Sequence, residues 1–285
     1  MKNRLLIMVG LLLSSGAAIG AEVLTFHAYV DANICARLML GPITPERIAC
    51  SQMAQKEGAV PALVRLQDNT IFLVNKEKMV KDLVGKFAEV TGEAKLKSGT
   101  IKLQSVKPEE PGSIPEGDPA RKLLDVRMSR TKGSANTFEK VRHELAMMPY
   151  LGTYDFISFT LVDSDVILTG WTVRDTNRGE AYNRVKLIEG VDKIVNNIEI
   201  LPLGGTDNQI RAGARVRLQR WLPRYFWSNG SDIKILVKNG KILLLGTVAT
   251  QEDSDIAKIQ CNTVPLSFGV YNLLRVAPPA DKAKS

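Results

Sequence analysis

One short stretch of this sequence is unusually rich in arginine and aromatic side chains, which bind anions and apolar surfaces. The run RLQRWLPRYFWSNG, residues 217–230, holds three arginines and four aromatic residues in fourteen positions. Arginine pairs with phosphate oxygens, and tryptophan and tyrosine favour the boundary between water and lipid headgroups. Aromatics beside arginines also suit single-stranded nucleic acid, and aromatics alone commonly fill protein cores. The pattern therefore leaves three interpretations open: a core helix, a nucleic-acid surface, or a lipid-facing surface.

A helix must position much of this stretch. The pattern predicts it over residues 207–222, where Pro223 ends it because proline cannot continue a helix. Residues spaced at i, i+4, i+8 and i+11 form its apolar face and are expected to pack on a sheet: Ile210, Ala214, Leu218 and Trp221. The perimeter holds Arg211, Arg215, Arg217 and Arg220. The segment RYFWSNG is then expected to turn into a hairpin.

The lipid-facing interpretation gives a set of candidate contact residues. Each basic residue near an anionic membrane contributes on the order of 1 kcal/mol to the binding free energy. Four or five such residues therefore predict a weak but real attraction to the membrane. The candidate ligand is an anionic phospholipid, and the candidate contacts are Arg215, Arg220, Trp221, Arg224, Tyr225, Phe226 and Trp227.

Residues for catalysis or metal binding are sparse. The two histidines, His27 and His143, have no Cys, Asp or Glu neighbours at the spacing of metal ligands. Asp163 and Asp165 are interpreted as carboxylates of a hairpin turn, and the segment LPLGGTD at 201–207 lacks the pattern of a phosphate-binding loop. We predict no catalytic residues, no metal site, no cofactor and no enzymatic activity.

The N-terminus indicates export. Lys2 and Arg4 precede the apolar run LLIMVGLLL at 5–13, which is too short to span a bilayer, and small residues follow. This order is typical of a cleavable signal peptide, predicted over residues 1–21. A periplasmic location is expected, and it argues against nucleic acid as a partner. The net charge of +8 is compatible with any anionic surface.

The cysteine usage agrees with an oxidising compartment. Of the three cysteines, Cys35 and Cys50 are predicted to pair, because closing that short loop contributes roughly 3 kcal/mol to stability. Cys261 has no evident partner and shares the apolar stripe of a predicted helix. It is therefore interpreted as a small core residue.

The segment 22–107 is predicted to form a small barrel. It contains five strand-like runs and one predicted helix, TPERIACSQMAQKEG, which Thr44 can cap and Pro45 can begin. This order of elements loosely resembles an OB-fold. Four prolines are then interleaved with Gly, Ser and Glu, which predicts a linker over residues 108–134.

The rest of the chain contains an internal repeat. ISFTLVDSDVILTGWTV at 157–173 corresponds to IKILVKNGKILLLGTVA at 233–249, 76 positions later, and the same offset continues through a helix and a last strand. Each copy predicts a helix, a hairpin, a second helix and a final strand, or αββαβ. Asn196 and Asn272 lie at matching inward positions, where a buried amide must bond to backbone.

This arrangement resembles the BON domain, named for bacterial osmotic-stress and nodulation proteins. The segments that carry the resemblance are VILTGWTV, KILLLGTV, IEGVDKIVNNIEI and GVYNLLRV, and the glycines expected to define the fold are Gly170, Gly190, Gly240 and Gly246. Ser164 departs from the pattern, because a turn glycine is usual there. The second copy also has VPLSFGV in place of EGVDKIV.

The resemblance implies a periplasmic, non-enzymatic protein that associates with phospholipid or the cell envelope, with a role in osmotic or envelope stress. The alternative is a scaffold that binds an envelope protein or peptidoglycan, with the barrel as recognition module. The fold class is α+β, with two tandem αββαβ domains after an OB-like barrel. The predicted bounds are 1–21 signal peptide, 22–107 barrel, 108–134 linker, 135–204 and 205–278 BON-like domains, and 279–285 tail.

Overall fold

A computed structural model describes residues 22–123, 132–201, 203–227 and 232–278. The predicted signal peptide (1–21), part of the predicted linker (124–131) and the predicted tail (279–285) lie outside these residues. The described chain is a closed β-barrel followed by two αββαβ units, so the predicted fold class is confirmed.

The barrel has five strands that close in the order β1-β2-β3-β5-β4. Its only parallel pair joins β3 and β5, and the other neighbours are antiparallel. Alternate residues point inward; along β4, for example, every second residue from Ala88 to Ala94 is buried. The strands are β1 (Glu22–Ala32), β2 (Pro61–Arg65), β3 (Ile71–Val74), β4 (Phe87–Lys95) and β5 (Thr100–Glu109).

A helical insert connects β1 to β2. It contains α1 (Asn33–Leu38), which the sequence pattern did not predict, and α2 (Pro45–Lys56), which it did. Thr44 caps α2 as expected, because its hydroxyl accepts from the backbone N–H of Arg47. A disulfide between Cys35 and Cys50 joins the two helices. Arg47 is fully buried and donates to Asp31 of β1 at 2.8 Å, which holds α2 against the barrel.

The first part of the predicted linker is packed rather than extended. β5 continues to Glu109, beyond the expected barrel end at residue 107. Ile114 and Ala120 are buried in a cluster with Tyr29 and Leu66 of the barrel. The composition of the linker predicted that it has too little apolar surface to pack. Ile114 and Ala120 nevertheless pack, because the barrel supplies the apolar residues on the other side of the contact.

The two αββαβ units, the first and second repeat, share one topology. In each, a hairpin and a parallel third strand form a sheet with two helices on one face. The first repeat comprises α3 (Lys132–Ala146), β6 (Phe156–Val162), β7 (Asp165–Thr172), α4 (Asp175–Lys186), β8 (Lys193–Asn196) and β9 (Glu199–Ile200). The second comprises α5 (Gly205–Trp221), β10 (Ile233–Lys238), β11 (Lys241–Val248), α6 (Gln251–Asn262) and β12 (Val270–Val276).

Matching glycines permit a close backbone approach in both repeats. A Cβ at Gly170 would lie 2.1 Å from the Phe156 carbonyl oxygen, and one at Gly246 would lie 1.8 Å from that of Asp232. Their φ angles, +122° and +124°, also disfavour other residues. Gly190 and Gly240 have φ of +89° and +74°, in the turn between α4 and β8 and in the hairpin turn between β10 and β11.

The two inward asparagines bond to the backbone as predicted. Asn196 donates to the carbonyl of Arg178 and accepts from the N–H of Ile198. Asn272 donates to the carbonyl of Ser254 and accepts from the N–H of Leu274. Each amide therefore ties the second helix of its repeat to the last strand, at positions related by the same offset.

The helical insert covers the second face of both sheets, which the sequence pattern did not predict. Leu236 and Leu243 of the second repeat are fully buried there, and Trp171 of the first repeat is 1% exposed. The Nζ of Lys238 lies 5.3 Å from the Trp171 ring centroid and pairs with Glu199. This interdomain core comprises Ala32, Cys35, Leu38, Cys50, Ala54, Ala59, Trp171, Val173, Leu201, Leu236, Leu243, Leu245, Tyr271 and Leu273.

Candidate interaction surface

Helix α5 orients the arginines that the sequence singled out. Ile210, Ala214 and Leu218 are fully buried against the sheet, as the spacing predicts. Arg217 donates from Nε to the Thr263 hydroxyl at 3.0 Å and from Nη2 to the Thr263 carbonyl, so it covers the end of α6. The remaining arginines differ, because Arg211 is buried whereas Arg215 and Arg220 are exposed.

Trp221 does not pack on the sheet as predicted, since 57% of it is exposed. It is the last residue of α5, and the next residue, Leu222, is 3% exposed and occupies the core position. The N–H of Leu222 still bonds to the Leu218 carbonyl at 2.8 Å, but its φ and ψ have left the helical region. Pro223 then enforces the departure. The i, i+4, i+8, i+11 spacing therefore predicts the buried face of α5 correctly except at its last residue, Trp221.

The turn after α5 divides its three aromatics between core and solvent. Tyr225 is 7% exposed, and its hydroxyl donates to Asp253 at 2.7 Å and accepts from the N–H of Ala249 at 2.8 Å. Phe226 is half-buried and packs on the core of the second repeat. Trp227 is 85% exposed. Of the three, Trp227 is therefore the residue free to contact a partner.

A charged cluster fixes this turn to the start of α6. Arg224 pairs with Asp253, and its guanidinium carbon lies 5.0 Å from the Tyr225 ring centroid. Burial alone would raise the pKa of Asp253, but hydrogen bonds from Tyr225, Thr250 and Arg224 outweigh it and lower that pKa. Asp253 is therefore ionised at neutral pH and holds the base of the turn, while more than half of Arg224 stays exposed.

We call the exposed set Arg215, Arg220, Trp221, Arg224 and Trp227 the arginine–tryptophan surface. Val216, which is 65% exposed, adjoins it one turn before Arg220. Sequence reasoning missed Val216, although its i, i+4 spacing from Arg220 was readable. Tyr225 and Phe226, the other two predicted contacts, support the surface from beneath.

The residues considered for other chemistry occupy structural positions. His27 bonds through Nδ1 to Glu109 at 2.9 Å, and its Nε2 lies 3.9 Å from Asp118. Asp163 has a φ of +52° in the turn between β6 and β7, which agrees with its predicted turn role. Burial raises the pKa of the Cys261 thiol to about 12. Within the described residues, no group of three or more His, Cys, Asp or Glu side chains is arranged to hold a metal ion.

Helices capable of crossing a bilayer are not found among the described residues, since none is both long and apolar enough.

Comparison with known proteins places the two repeats in a family. The family model for the BON domain matches residues 135–202 and again residues 211–278. The second match follows the first at the same offset that the sequence repeat shows. No curated protein matches the chain.

Among solved structures, two similar chains come from Chlamydia trachomatis. One is CdsD, a structural protein of the type III secretion system, with 9% identity and a TM-score of 0.22 over 52% of this chain and 95% of that one. The other is the C-terminal domain of CdsD, with 10% identity and a TM-score of 0.17 over 49% of this chain and 96% of that one. Scores this low carry no argument, and the assignment depends on the family model. The second half of this chain is a tandem pair of BON domains.

Proposed function

We propose that this protein is a non-enzymatic component of the bacterial cell envelope that attaches to anionic phospholipid through its second BON domain. BON domains occur in envelope proteins and are generally non-catalytic, which supports this class of function. The attachment site is the arginine–tryptophan surface. A role in osmotic or envelope stress is the biological setting that the family suggests.

The observation that carries the proposal is the exposure of two tryptophans among arginines. Trp227 is 85% exposed and Trp221 is 57% exposed, although tryptophan is normally well buried. Tryptophan is favourable at the headgroup level of a bilayer, where its ring is partly in lipid and its N–H remains hydrated. The neighbouring Arg220 is exposed, and its side chain makes no ion pair or hydrogen bond within the described residues. It is therefore available for a lipid phosphate.

The proposed location is the periplasm. The signal-peptide pattern of residues 1–21 supports export, and the disulfide between Cys35 and Cys50 suits an oxidising compartment. Both are independent of the lipid argument. Fractionation of cells that express the full chain tests the location directly.

Vesicle co-sedimentation of the mature chain tests the function. We expect binding to phosphatidylglycerol vesicles, little binding to phosphatidylcholine vesicles, and loss of binding as salt rises, because the attraction is electrostatic. Arg220→Glu removes one positive charge and adds a negative one, which is expected to weaken binding at low salt by roughly tenfold.

The matched control is Lys97→Glu, a charge reversal at an exposed residue of the barrel that, like Arg220, makes no ion pair within the described residues. It should bind as the unaltered chain does. Equal weakening by both variants would show that only net charge matters and would remove the surface from the proposal. If no vesicle composition is bound, the lipid function is wrong, and the scaffold that binds an envelope protein or peptidoglycan becomes the leading alternative.

A further inference from the structure

The first BON domain also exposes apolar side chains after its first helix. Residues 147–155 connect α3 to β6, and there Met147 is 60% exposed and Tyr150 is 65% exposed. Met148 is 5% exposed and packs in the core of the domain. The turn therefore divides its apolar residues between core and solvent, as the equivalent turn of the second domain does.

Direct contacts join the turn of the first domain to the strand that follows the turn of the second domain. The carbonyl of Gly152 accepts from Nζ of Lys234 at 3.1 Å, and that of Thr153 accepts from the N–H of Ile235 at 2.8 Å. Lys234 and Ile235 begin β10, the strand that the second turn enters. The backbone of that turn is anchored at the same place, because the N–H of Asp232 donates to the Tyr225 carbonyl at 3.1 Å.

Tyr154 packs at the junction of the two domains. It is half-buried and packs against both the core of the second BON domain and the interdomain core. The guanidinium carbon of Arg215 lies 5.9 Å from its ring centroid. Arg215, a member of the arginine–tryptophan surface, therefore stands directly over the turn of the first domain. These contacts place the turn of the first domain next to the start of β10 and to Arg215 of the second domain.

Positive charge extends onto the first domain as well. Arg174 is exposed and precedes α4, where its carbonyl accepts from the N–H of Asn177. The side chain of Asn177 donates to the carbonyl of Tyr150 at 3.4 Å. Arg174 therefore lies on the segment that borders the exposed tyrosine, and the same combination of apolar and cationic groups occurs on both domains.

We infer that the two BON domains contribute to one continuous membrane-contacting surface, in which Met147 and Tyr150 form a second apolar anchor beside Trp221 and Trp227. The inference depends on the proposed function and extends it to the first domain. The occupant is an anionic bilayer surface. The exposed Arg174, Arg215 and Arg220, which make no ion pair within the described residues, complement its charge. The flexible thioether of methionine and the amphipathic ring of tyrosine suit the headgroup boundary.

The test uses the full mature chain with Met147→Ser/Tyr150→Ser and phosphatidylglycerol vesicles. Withdrawing two apolar side chains from the lipid is expected to weaken partitioning on the order of tenfold, with an unchanged dependence on salt. The matched control is Leu187→Ser, at a residue of the same domain that is 86% exposed. Leu187 follows α4 at the end where Gly190 approaches Thr137 near the start of α3, away from the turn. It should bind as the unaltered chain does.

A second measurement does not require the double variant to fold. A polarity-sensitive fluorophore at Tyr150→Cys should shift to the blue on vesicle binding and be quenched by brominated acyl chains, whereas one at Leu187→Cys should not. The free Cys261 is buried and will not compete for the label.

The outcomes separate the two proposals. If the unaltered chain binds and Trp227→Ser weakens binding, but the label at position 150 stays in water, the continuous surface is wrong and the proposed function stands. If the double variant binds as Leu187→Ser does, the conclusion is the same. If the unaltered chain binds no vesicles, both proposals fall.

Discussion

Two apolar regions of the second BON domain differ in what covers them. The outer sheet face, with Leu236, Leu243 and Leu245, is at most 7% exposed because the barrel's helical insert and the first BON domain lie on it. The arginine–tryptophan surface carries side chains just as apolar, yet the described chain leaves Trp227 85% exposed. The first region is completed within the molecule, and the second is available to a partner. Stability should therefore reside in the first region and recognition in the second.

Charge separates the same two regions. Two lysines lie over aromatic rings of the interdomain core. Lys238 lies over Trp171 and is already paired with Glu199, and Lys241 lies over Tyr271 and donates to its hydroxyl at 2.8 Å. The arginine–tryptophan surface has several arginines, of which Arg220 is unpaired among the described residues. An internal apolar contact needs its charges neutralised, whereas a surface that meets an anionic partner keeps them.

The largest expected effect is on the covered region. Leu243→Ala removes a fully buried side chain from the interdomain core and should lower the free energy of unfolding by about 3 to 5 kcal/mol, through lost burial and a residual cavity. Urea unfolding followed by circular dichroism measures it. Leu266→Ala, at a residue that is 57% exposed, is the control and should change stability by less than about 0.5 kcal/mol. If the two variants lower the free energy of unfolding equally, the contact between this sheet face and the helical insert does not contribute to stability.

The next effect concerns the insert that covers this face. Cys35→Ser/Cys50→Ser opens a disulfide whose cysteines are 15 positions apart and should cost about 3 kcal/mol, mainly because the unfolded chain gains freedom. Thermal unfolding with and without reductant measures the change. Reductant should destabilise the unaltered chain by a similar amount and leave the double variant unaffected. A reductant effect on the double variant would contradict the assignment of the stabilisation to this bond.

Much of the fold was readable from the sequence, and the exceptions have physical causes. The five strand-like runs and their order predicted the barrel, and the constant offset predicted the two repeats. The covered sheet face was missed because periodicity reports that a face is apolar, not which segment covers it, although the unbroken run Ile242–Leu245 indicated burial on both sides. Helix α1 has six residues, too few for a helical period to appear.

The candidate surface was predictable in location but not in detail. Composition identified residues 217–230, and the structure exposes Trp227 and Arg220 from that stretch. The exchange of Trp221 and Leu222 at the end of α5 was not predictable, because it depends on where the chain leaves the helix. The contribution of the first domain depends on packing between domains, which no local pattern records.

A smaller effect concerns the support beneath the exposed surface. Asp253→Asn weakens the charged hydrogen bonds with Arg224, Tyr225 and Thr250 and should lower the free energy of unfolding by about 1 to 3 kcal/mol at pH 7. The pKa of Asp253 in the folded state lies below its ordinary value of 3.8. The ionised carboxylate therefore stabilises the fold fully at pH values above 3.8. This stabilisation is lost as the pH falls through the folded-state pKa.

Urea titrations of the unaltered chain and Asp253→Asn from pH 7 to pH 3 measure this. The difference in stability should be constant near neutral pH and shrink below about pH 4. Asp255→Asn, at an exposed position of α6, is the control and should change the free energy of unfolding at pH 7 by less than about 0.5 kcal/mol. A difference that stays constant down to pH 3 would mean that Asp253 contributes through shape rather than charge.

The smallest expected effect on stability is at the most exposed tryptophan. Trp227→Ala should change the free energy of unfolding by less than about 0.5 kcal/mol, because a side chain that is 85% exposed makes few contacts in the folded state. The same variant should shift the intrinsic fluorescence to the blue and reduce quenching by acrylamide, because buried Trp171 then contributes a larger share of the emission. Destabilisation by more than about 1 kcal/mol would show that Trp227 packs within the molecule. The two regions would then differ in degree rather than in kind, and Trp227 would not be available to a partner.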